Sequence, residues 1–558
     1  GSSLAISVVP TSPSAALEGQ RYIRRRIPRP ETTVNYERRT TNHEPSLRQA
    51  KRNIIIMNHY DNIIVGSGIS GLTLTLLFAR QGRKVLLLEK APNIGGSIAR
   101  FRRHGVPYDV GFHFTGGLCR DRSGMFDEML RVLDLDDAIK PQFLADDVSH
   151  RIALPDAGRI HEIPSGFARY RARLQEDFPG SREAIDRYFK RFVAVCEGTA
   201  SMTIRLLAAE IPPPSEDDFM SLQDVLDAYF DDPALKMVLS TFCMCHGSQP
   251  NEISFANHAR IACAMYESTA RVENGGEGFV NAFKEAFEDL DVDIRCKTTI
   301  RELADIRERR VRRFVLTDGD EVSAENCTFT IHPRNILEVL PEEHTSPAFR
   351  HRVEGYEPSS GFFSIFGTLD ETVPTTGRDA IFSIFPDGDM NDMMRPEWQR
   401  ERPLVMLTYD EKAHGVPVRT MTAFELSLPE DVAQWADTRT GNRGESYREY
   451  KKTRTESIIS RLSEYIPELK DGFRCADSAS MLTFRDYLHS PYGAAYGIRQ
   501  KVGQFNLVGK LPLLNLYAAG QSAILPGVMG AMASAFFVAR AMLGKQKLQQ
   551  YIDEKLCH

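Results

Sequence analysis

The sequence has little net charge and no repeated cysteine spacing. A formal net charge of -6 over 558 residues gives no reason to expect a nucleic-acid partner. The nine cysteines are scattered along the chain. Free cysteines suit a reducing compartment, and we therefore expect a cytoplasmic protein. With 42% hydrophobic and 26% charged residues, the composition is that of an ordinary soluble globular protein.

The sequence also lacks an unbroken apolar run that predicts a membrane span. Residues 513–543 have the length and apolar character of such a span, but Pro526 and several glycines divide them. We predict a buried strand over 515–519, a turn, and a buried helix over 530–543. A large α/β core explains this region without lipid.

Only one group of cysteines is close together, in the stretch "CMCH". It contains Cys243, Cys245 and His246, and the sequence offers no second pair of ligands at a metal-type spacing. We interpret these residues as buried thiols of a helix, with a metal or redox pair as the alternative. No metal site is predicted.

The first 57 residues differ in composition from the rest of the chain. Between Arg21 and Arg52 there are ten Arg or Lys residues against three Glu, with few large apolar side chains. Such a segment cannot bury enough apolar surface to fold alone. We interpret 1–57 as a flexible or surface-wrapping extension, with a targeting peptide, a membrane-peripheral anchor or a contact with a partner protein or second subunit of a homodimer as alternatives.

A glycine-rich stretch near the start of the globular region carries the strongest motif. An apolar run ends at Gly66, Gly68 and Gly71, helix-forming residues follow, and a second apolar run ends on Glu89. This order of strand, glycine turn, helix, strand and acid is typical of a dinucleotide site. Gly68 would let a pyrophosphate approach bare backbone at the positive end of the helix.

Glu89 and the absence of a second motif limit the choice of nucleotide. A carboxylate at the end of the second strand can accept both ribose hydroxyls and would repel a 2′-phosphate, so NADP is disfavoured. No second G-x-G-x-x-G unit follows a strand elsewhere in the sequence. A separate NAD(P)H domain is therefore not expected.

Three further stretches extend the pattern: "VGFHFTGG" after the first unit, "VENGGEGFVNAFKEAF" in the middle, and "SPYGAAYGI" with "NLYAAGQSAILPGVMGAMAS" near the end. Together they resemble the phytoene desaturase, carotenoid isomerase and retinol saturase group within the amine-oxidase-like flavoproteins. The Gly95-Gly96-Ser97 variant is closer to the isomerases, and "VGFHFTGG" is closer to the saturases. The direction of the redox reaction therefore stays open.

The resemblance implies an α/β fold with a discontinuous, Rossmann-type FAD-binding domain and an inserted α+β substrate domain. The FAD-binding domain would comprise 58–150, 268–345 and 471–548, and the substrate domain 151–267 and 346–470. The strand at Thr299 and Ile300 resembles the one that contacts adenine through its backbone in this group. The residues expected around FAD are Gly66, Gly68, Ser70, Gly71, Glu89, Lys90, Gly95, Gly96, Ser97, Thr299, Ile300, Gly520, Gln521, Val528 and Met529.

The implied chemistry is hydride exchange between flavin and a C–C or C=C bond of a lipophilic isoprenoid or polyene. Candidate proton-handling residues are His113, Arg271, Glu273 and Tyr496. The alternative interpretations of His113 and Glu273 are structural: His113 would hydrogen-bond backbone, and Glu273 would pair with Arg271. The alternative functions are a flavin amine oxidase or dehydrogenase, and an assembly protein that keeps FAD as a structural element.

Overall fold

A computed structural model describes residues 57–155, 157–197, 203–205, 213–374, 380–386 and 388–557. The predicted extension 1–57 lies outside these residues except for its last position. The strands are β1 (Asn58–Val65), β2 (Val85–Glu89), β3 (Arg100–Arg103), β4 (Val106–Asp109), β5 (Pro141–Phe143), β6 (His150–Leu154), β7 (Arg159–Ile163), β8 (Ala270–Val272), β9 (Val292–Cys296), β10 (Ile300–Arg307), β11 (Arg310–Leu316), β12 (Glu321–Phe329), β13 (Gly361–Leu369), β14 (Ile381–Ile384), β15 (Leu404–Ala413), β16 (Val416–Ser427), β17 (Phe473–Ala479), β18 (Gly509–Lys510) and β19 (Leu516–Ala518).

The helices lie between these strands and at the C-terminal end of the described chain. They are α1 (Ile69–Arg80), α2 (Met125–Val132), α3 (Phe167–Asp177), α4 (Arg182–Glu197), α5 (Leu222–Tyr229), α6 (Pro233–Ser240), α7 (Phe255–Glu267), α8 (Gly276–Phe287), α9 (Pro333–Val339), α10 (Pro347–Glu354), α11 (Met390–Met393), α12 (Gly444–Ser463), α13 (Leu469–Gly472), α14 (Met481–Leu488), α15 (Gly527–Leu543) and α16 (Lys545–Leu556).

The first sheet is assembled from three distant parts of the chain. Its main order is β10-β11-β12-β1-β2-β9, and β19 pairs with β12. The pairs β12–β1, β1–β2, β2–β9 and β12–β19 are parallel. Strand β2 reads VLLLE and is buried along its whole length, as expected for a parallel strand covered on both faces.

Helices α1 and α15 pack against each other over this sheet. Both are rich in small and apolar residues, and nearly all of α1 is buried. The Ser70 hydroxyl donates a hydrogen bond of 2.6 Å to the Ala531 carbonyl, which joins the first turns of the two helices. The predicted strand and helix of the apolar C-terminal region correspond to β19 and α15.

The second sheet has the order β17-β13-β16-β15-β14-β6-β7. It is mostly antiparallel, and β14 and β6 form its parallel pair. A second apolar core lies between one face of this sheet and helices α3 to α7, and it contains a dense group of aromatic rings around Tyr188 and Phe192. The predicted α/β fold class is therefore confirmed.

The predicted domain boundaries can be compared with the two sheets. The segment 471–548, assigned from the sequence to the FAD-binding domain, begins with β17, and β17 pairs with β13 of the second sheet. Likewise, β6 begins at His150, the last residue of the first predicted segment. A strand alone carries no signal for the sheet it will join, because that choice depends on distant partners.

None of the helices in the described part of the chain is both long enough and apolar enough to cross a membrane.

Candidate cofactor and substrate site

A cavity of about 1670 Å³ is lined by residues of both sheets. Its lining begins at the glycine turn after β1 and continues past the first turn of α15 to side chains of β13, β15 and β16. The cavity therefore joins the predicted dinucleotide site to the region predicted to bind substrate.

The turn between β1 and α1 leaves room for a ligand at Gly68. This residue has an ordinary backbone conformation (φ -62°), and a Cβ placed on it would have no atom within 4 Å. By contrast, a Cβ on Gly71 would overlap the carbonyl oxygen of Gly66. Gly71 is therefore needed for packing, while Gly68 faces open space beside the free N–H groups at the start of α1.

Glu89 is held in place by the turn that it faces. Its carboxylate accepts hydrogen bonds from the Ser67 N–H (2.9 Å), the Ser67 hydroxyl (2.5 Å) and the Ala91 N–H (2.7 Å). The side chain also lines the cavity. The sequence motif pointed to Glu89 but gave no signal for Ser67, whose hydroxyl additionally accepts from the Gly95 N–H.

Most of the residues predicted to surround FAD line this cavity. They are Gly66, Gly68, Ser70, Glu89, Lys90, Gly96, Ser97, Thr299, Ile300, Gly520, Gln521, Val528 and Met529. Gly71 and Gly95 do not belong to the lining. A Cβ on Gly95 would approach Val280 Cγ2 at 2.8 Å, and the backbone there has a positive φ of 123°, so Gly95 is required by the fold.

The backbone of Thr299, predicted to contact adenine, is already hydrogen-bonded. Its N–H donates to the Thr317 hydroxyl (3.0 Å), and its carbonyl accepts from the Thr317 N–H (2.9 Å). Thr299 and Ile300 nonetheless line the cavity. The adenine contact stays a prediction.

The C-terminal motif approaches the cavity at the start of α15. Gly520 has a positive φ of 113°, and its N–H donates to the Ser534 hydroxyl at 2.8 Å. Helix α15 then begins at Gly527, and Val528 and Met529 line the cavity in its first turn. Two helix N-termini, those of α1 and α15, therefore border the same space, and helix N-termini stabilise anionic groups such as a diphosphate.

His113 lines the cavity, and its side chain is largely enclosed by protein. Its ring stacks on Phe424 at 5.0 Å between centroids, and its Nδ1 atom has no hydrogen-bond partner among the described residues. Burial lowers the pKa of His113 to about 4; Asp109 opposes this shift and Arg271 adds to it. The imidazole is therefore neutral at pH 7, with one donor and one acceptor nitrogen.

Tyr496 also lines the cavity, close to Phe362. Its backbone N–H donates to the Ser359 hydroxyl at 3.0 Å. Burial raises the pKa of the phenol well above its usual value, so the side chain keeps its proton. His113 and Tyr496 are thus brought to one cavity, while their catalytic roles stay predictions.

Arg271 and Glu273 lie outside the cavity lining. Arg271 forms ion pairs with Asp109 (2.7 Å) and Glu411 (2.5 Å) and not with Glu273. Glu273 is exposed to solvent. Although burial disfavours its charge, the two carboxylates and Tyr409 raise the pKa of Arg271. Arg271 therefore holds its proton in a structural ion cluster, and the predicted pair with Glu273 is wrong.

The predicted cysteine cluster separates in the structure. Cys245 lines the cavity, whereas Cys243 is buried near His246 and His258, and the ligand-type atoms of these three lie within 4.8 Å of one another. His246 Nε2 and His258 Nδ1 are 3.3 Å apart and hydrogen-bond each other. Burial lowers the pKa of both imidazoles, which are therefore neutral. The sequence did not single out His258, and the absence of a metal stays a prediction.

Beyond His113, the cavity becomes an apolar chamber whose walls could not be assigned from the sequence. The side chains of this chamber come from the second sheet and from helices packed on it; among them are Phe242, Met244, Ile261, Met265, Phe362, Ile381, Phe385, Val405 and Phe424. On the helical side, two ion pairs, Arg191–Asp217 and Arg260–Asp218, also border the cavity.

Comparisons with known proteins agree with this geometry. A model of the NAD(P)-binding Rossmann-like domain matches residues 64–128. An all-trans-retinol 13,14-reductase of Danio rerio is 27% identical over 87% of this chain and 86% of its own length. A chloroplastic prolycopene isomerase of Daucus carota is 21% identical over 86% of this chain and 78% of its own.

These matches fit a flavoprotein of the retinol saturase and carotenoid isomerase type. The resemblance carried by the sequence motifs is thereby confirmed. Among solved structures, putrescine oxidase bound to putrescine superposes with a TM-score of 0.58 at 15% identity, covering 87% of this chain and 99% of its own. At that identity the likeness shows the fold alone, which this chain shares with putrescine oxidase.

Proposed function

We propose that this protein is an FAD-dependent oxidoreductase that saturates, desaturates or isomerises C=C bonds of a lipophilic polyene. The observation that carries the proposal is the single cavity that joins the glycine turn at Gly68 to the apolar chamber. The named relatives, a retinol reductase and a prolycopene isomerase, support the polyene class of substrate.

The residues present fit FAD. Open space at Gly68 would admit the diphosphate, Glu89 would face the ribose, and the first turn of α15 with Val528 and Met529 would border the flavin. When bound, the flavin supplies hydride exchange with carbon. The chain itself orients the substrate, excludes water and handles any proton that the reaction consumes or releases.

The apolar chamber suits a polyene because conjugated carbon chains have no groups that need hydrogen bonds. Phe362, Phe424 and Val405 would pack along such a chain and keep water away. His113 and Tyr496 are polar groups beside this packing surface, since Phe424 stacks on His113 and Phe362 contacts Tyr496. In a saturation, the phenol of Tyr496 can supply the proton that accompanies the hydride, and in a desaturation the neutral imidazole of His113 can accept one.

The proposed function also implies a binding partner and a location in the cell. The partner is a lipophilic small molecule, which favours a cytoplasmic protein that meets membranes peripherally to collect its substrate. A contact with a membrane or partner protein through the extension 1–57, and a homodimer, are part of the proposal.

A redox experiment under nitrogen tests the function. Protein isolated with its own cofactor is reduced with dithionite or left oxidised, mixed with all-trans-retinol, and followed by flavin absorbance and by chromatography of the polyene. We expect the polyene to be converted in one of the two redox states. If neither state alters the polyene while putrescine bleaches the oxidised flavin, the protein is an amine oxidase and the proposal is overturned.

A further inference from the structure

Two buried polar side chains interrupt the apolar wall of the chamber. His150 begins β6, and Ser383 lies on the neighbouring parallel strand β14. The His150 Nε2 atom and the Ser383 hydroxyl are 2.8 Å apart, and both residues line the cavity. They are only 8% and 1% exposed, so neither is a surface group that happens to face the opening.

The surroundings of this pair are apolar. The ring of Phe242 lies 6.2 Å from the His150 ring between centroids, and Ile381, Phe385 and Val405 line the same cavity. Placing an imidazole and a hydroxyl in such a wall costs free energy unless their polar atoms are all satisfied. Two apolar residues would serve the packing of the strands equally well.

The hydrogen bond to Ser383 engages one ring nitrogen of His150 and leaves the second ring nitrogen without a hydrogen-bond partner among the described residues. Burial lowers the pKa of His150 to about 3, and the ring is therefore neutral at pH 7. A neutral imidazole has one donor and one acceptor nitrogen. Whichever way the Ser383 hydroxyl turns, Nε2 is engaged with it, and Nδ1 is available to donate to or accept from a ligand in the chamber.

We propose that His150 and Ser383 form a subsite for a neutral oxygen group, a hydroxyl or carbonyl, on the polyene. This inference rests on the proposed function and narrows its substrate class from any polyene to an oxygenated one. A hydroxyl matches either tautomer of His150, because it both donates and accepts. A carboxylate fits poorly, since its charge would be buried against a neutral pair.

An anchored oxygen also decides which double bond reacts. Fixing one end of the polyene sets how far the chain extends toward the cofactor end of the chamber. Loss of the anchor should therefore let the chain slide, and products altered at more than one double bond should appear.

Binding of three matched ligands tests the subsite. All-trans-retinol, its methyl ether and the corresponding deoxy hydrocarbon are titrated into the protein with its bound cofactor, and Kd is measured from the change in flavin absorbance or fluorescence. For the unmodified protein we expect retinol to bind roughly tenfold more tightly than the hydrocarbon, the value of about one good hydrogen bond. The methyl ether, which can only accept, should lie between them.

Substitutions of His150 and Ser383 test whether these two residues cause the preference for retinol over the hydrocarbon. In His150→Phe the preference for retinol over the hydrocarbon should fall to about onefold, and affinity for the hydrocarbon should be retained because the wall becomes fully apolar. Ser383→Ala provides a smaller change if His150→Phe folds poorly, and it should reduce the preference in part. With retinol as substrate, His150→Phe should also broaden the set of double bonds that react.

A buried histidine outside the cavity is the control. His161 lies on the adjacent strand β7, is 2% exposed, bonds Asp177 at 2.7 Å and does not line the cavity. His161→Phe should affect stability but leave the preference for retinol unchanged. Equal binding of all three ligands, or an unchanged preference in His150→Phe, would overturn the subsite while leaving the polyene site intact. If none of the ligands binds, the proposed function and the subsite both fall.

Discussion

At the scale of single residues, two glycines of one motif have different tasks. Gly68 faces open space in a conformation that any residue can adopt, whereas a side chain on Gly71 would overlap the Gly66 carbonyl. The G-x-G-x-x-G pattern treats both as equally required. The structure separates a residue needed for the ligand from one needed for the fold.

Substitution of these glycines should therefore separate cofactor binding from folding. Gly68→Val should fold with the stability of the cofactor-free protein and purify colourless, because its side chain fills the space of the diphosphate. Gly71→Ala should lower the free energy of unfolding by about 1–3 kcal/mol through overpacking. Absorbance near the flavin bands and urea unfolding of the cofactor-free proteins measure the two effects. A Gly68→Val protein that remains fully yellow would show that the diphosphate lies elsewhere.

The buried His113 predicts how stability depends on pH. Its pKa in the folded protein is lowered to about 4, below the unfolded value of about 6.5. The unfolded chain therefore binds the extra proton first, and the stability that neutral His113 provides above pH 6.5 is lost as pH falls toward 4. His113→Phe should make the decline of unfolding free energy between pH 6.5 and 4.5 shallower by up to about 1.4 kcal/mol per pH unit.

Urea unfolding at a series of pH values measures this slope. Other buried imidazoles with lowered pKa values, such as His246 and His258, contribute to the total slope in both proteins and cancel in the comparison. Parallel slopes for the two proteins would mean that His113 is protonated in the fold or accessible to water.

At the scale of elements, a buried ion cluster joins strands that belong to different sheets. Arg100 of β3 contacts Asp109 of β4 (3.1 Å) and Glu411 of β15 (2.6 Å). Arg271 of β8 contacts the same two carboxylates, and its guanidinium also lies 3.7 Å from the centroid of the Tyr409 ring. All four charged side chains are nearly inaccessible to water, so each depends on the others for its partners.

Removing Arg271 should destabilise the protein as a whole. Arg271→Met leaves two buried carboxylates with one cation and should lower the free energy of unfolding by about 3–5 kcal/mol. The neighbouring control, Glu273→Gln, changes an exposed side chain and should stay within about 0.5 kcal/mol. Chemical unfolding of both variants provides the comparison. If Arg271→Met loses activity at unchanged stability, Arg271 acts in catalysis and its structural role is wrong.

At the scale of the whole molecule, the described residues contain one strand–glycine turn–helix unit that is typical of a dinucleotide site, and its turn lies between β1 and α1. The cavity at that unit runs on into the substrate chamber, and the sequence contains no second G-x-G-x-x-G after a strand. We therefore expect electrons to be exchanged at the cofactor itself and not through a separate nicotinamide domain.

NADPH and NADH should accordingly reduce the flavin slowly and without saturation. Stopped-flow absorbance under nitrogen, with dithionite as the control reductant, measures the rate. The carboxylate of Glu89 would also repel the 2′-phosphate of NADPH at the glycine turn. Fast, saturable bleaching by NADPH would contradict the expectation and would reveal a nicotinamide site outside the recognised motif.

The sequence by itself determined the β1–α1–β2 unit, the acid at its end, and the strand and helix near the C-terminus. Each of these depends on neighbours within about thirty residues, so spacing and residue type carry the information. The predicted helix over 530–543 began three residues late, because Gly527 starts the helix after Pro526 and glycine there gives no helix signal.

Tertiary structure alone decided which residues from distant parts of the chain meet. Arg271 contacts Asp109, 162 positions away, and His150 contacts Ser383, 233 positions away. Neither pair leaves a local pattern, since each partner is an ordinary residue of a short strand. The lining of the substrate chamber has the same origin: strands distant in sequence pair at one register, and only that register places their side chains around a common space.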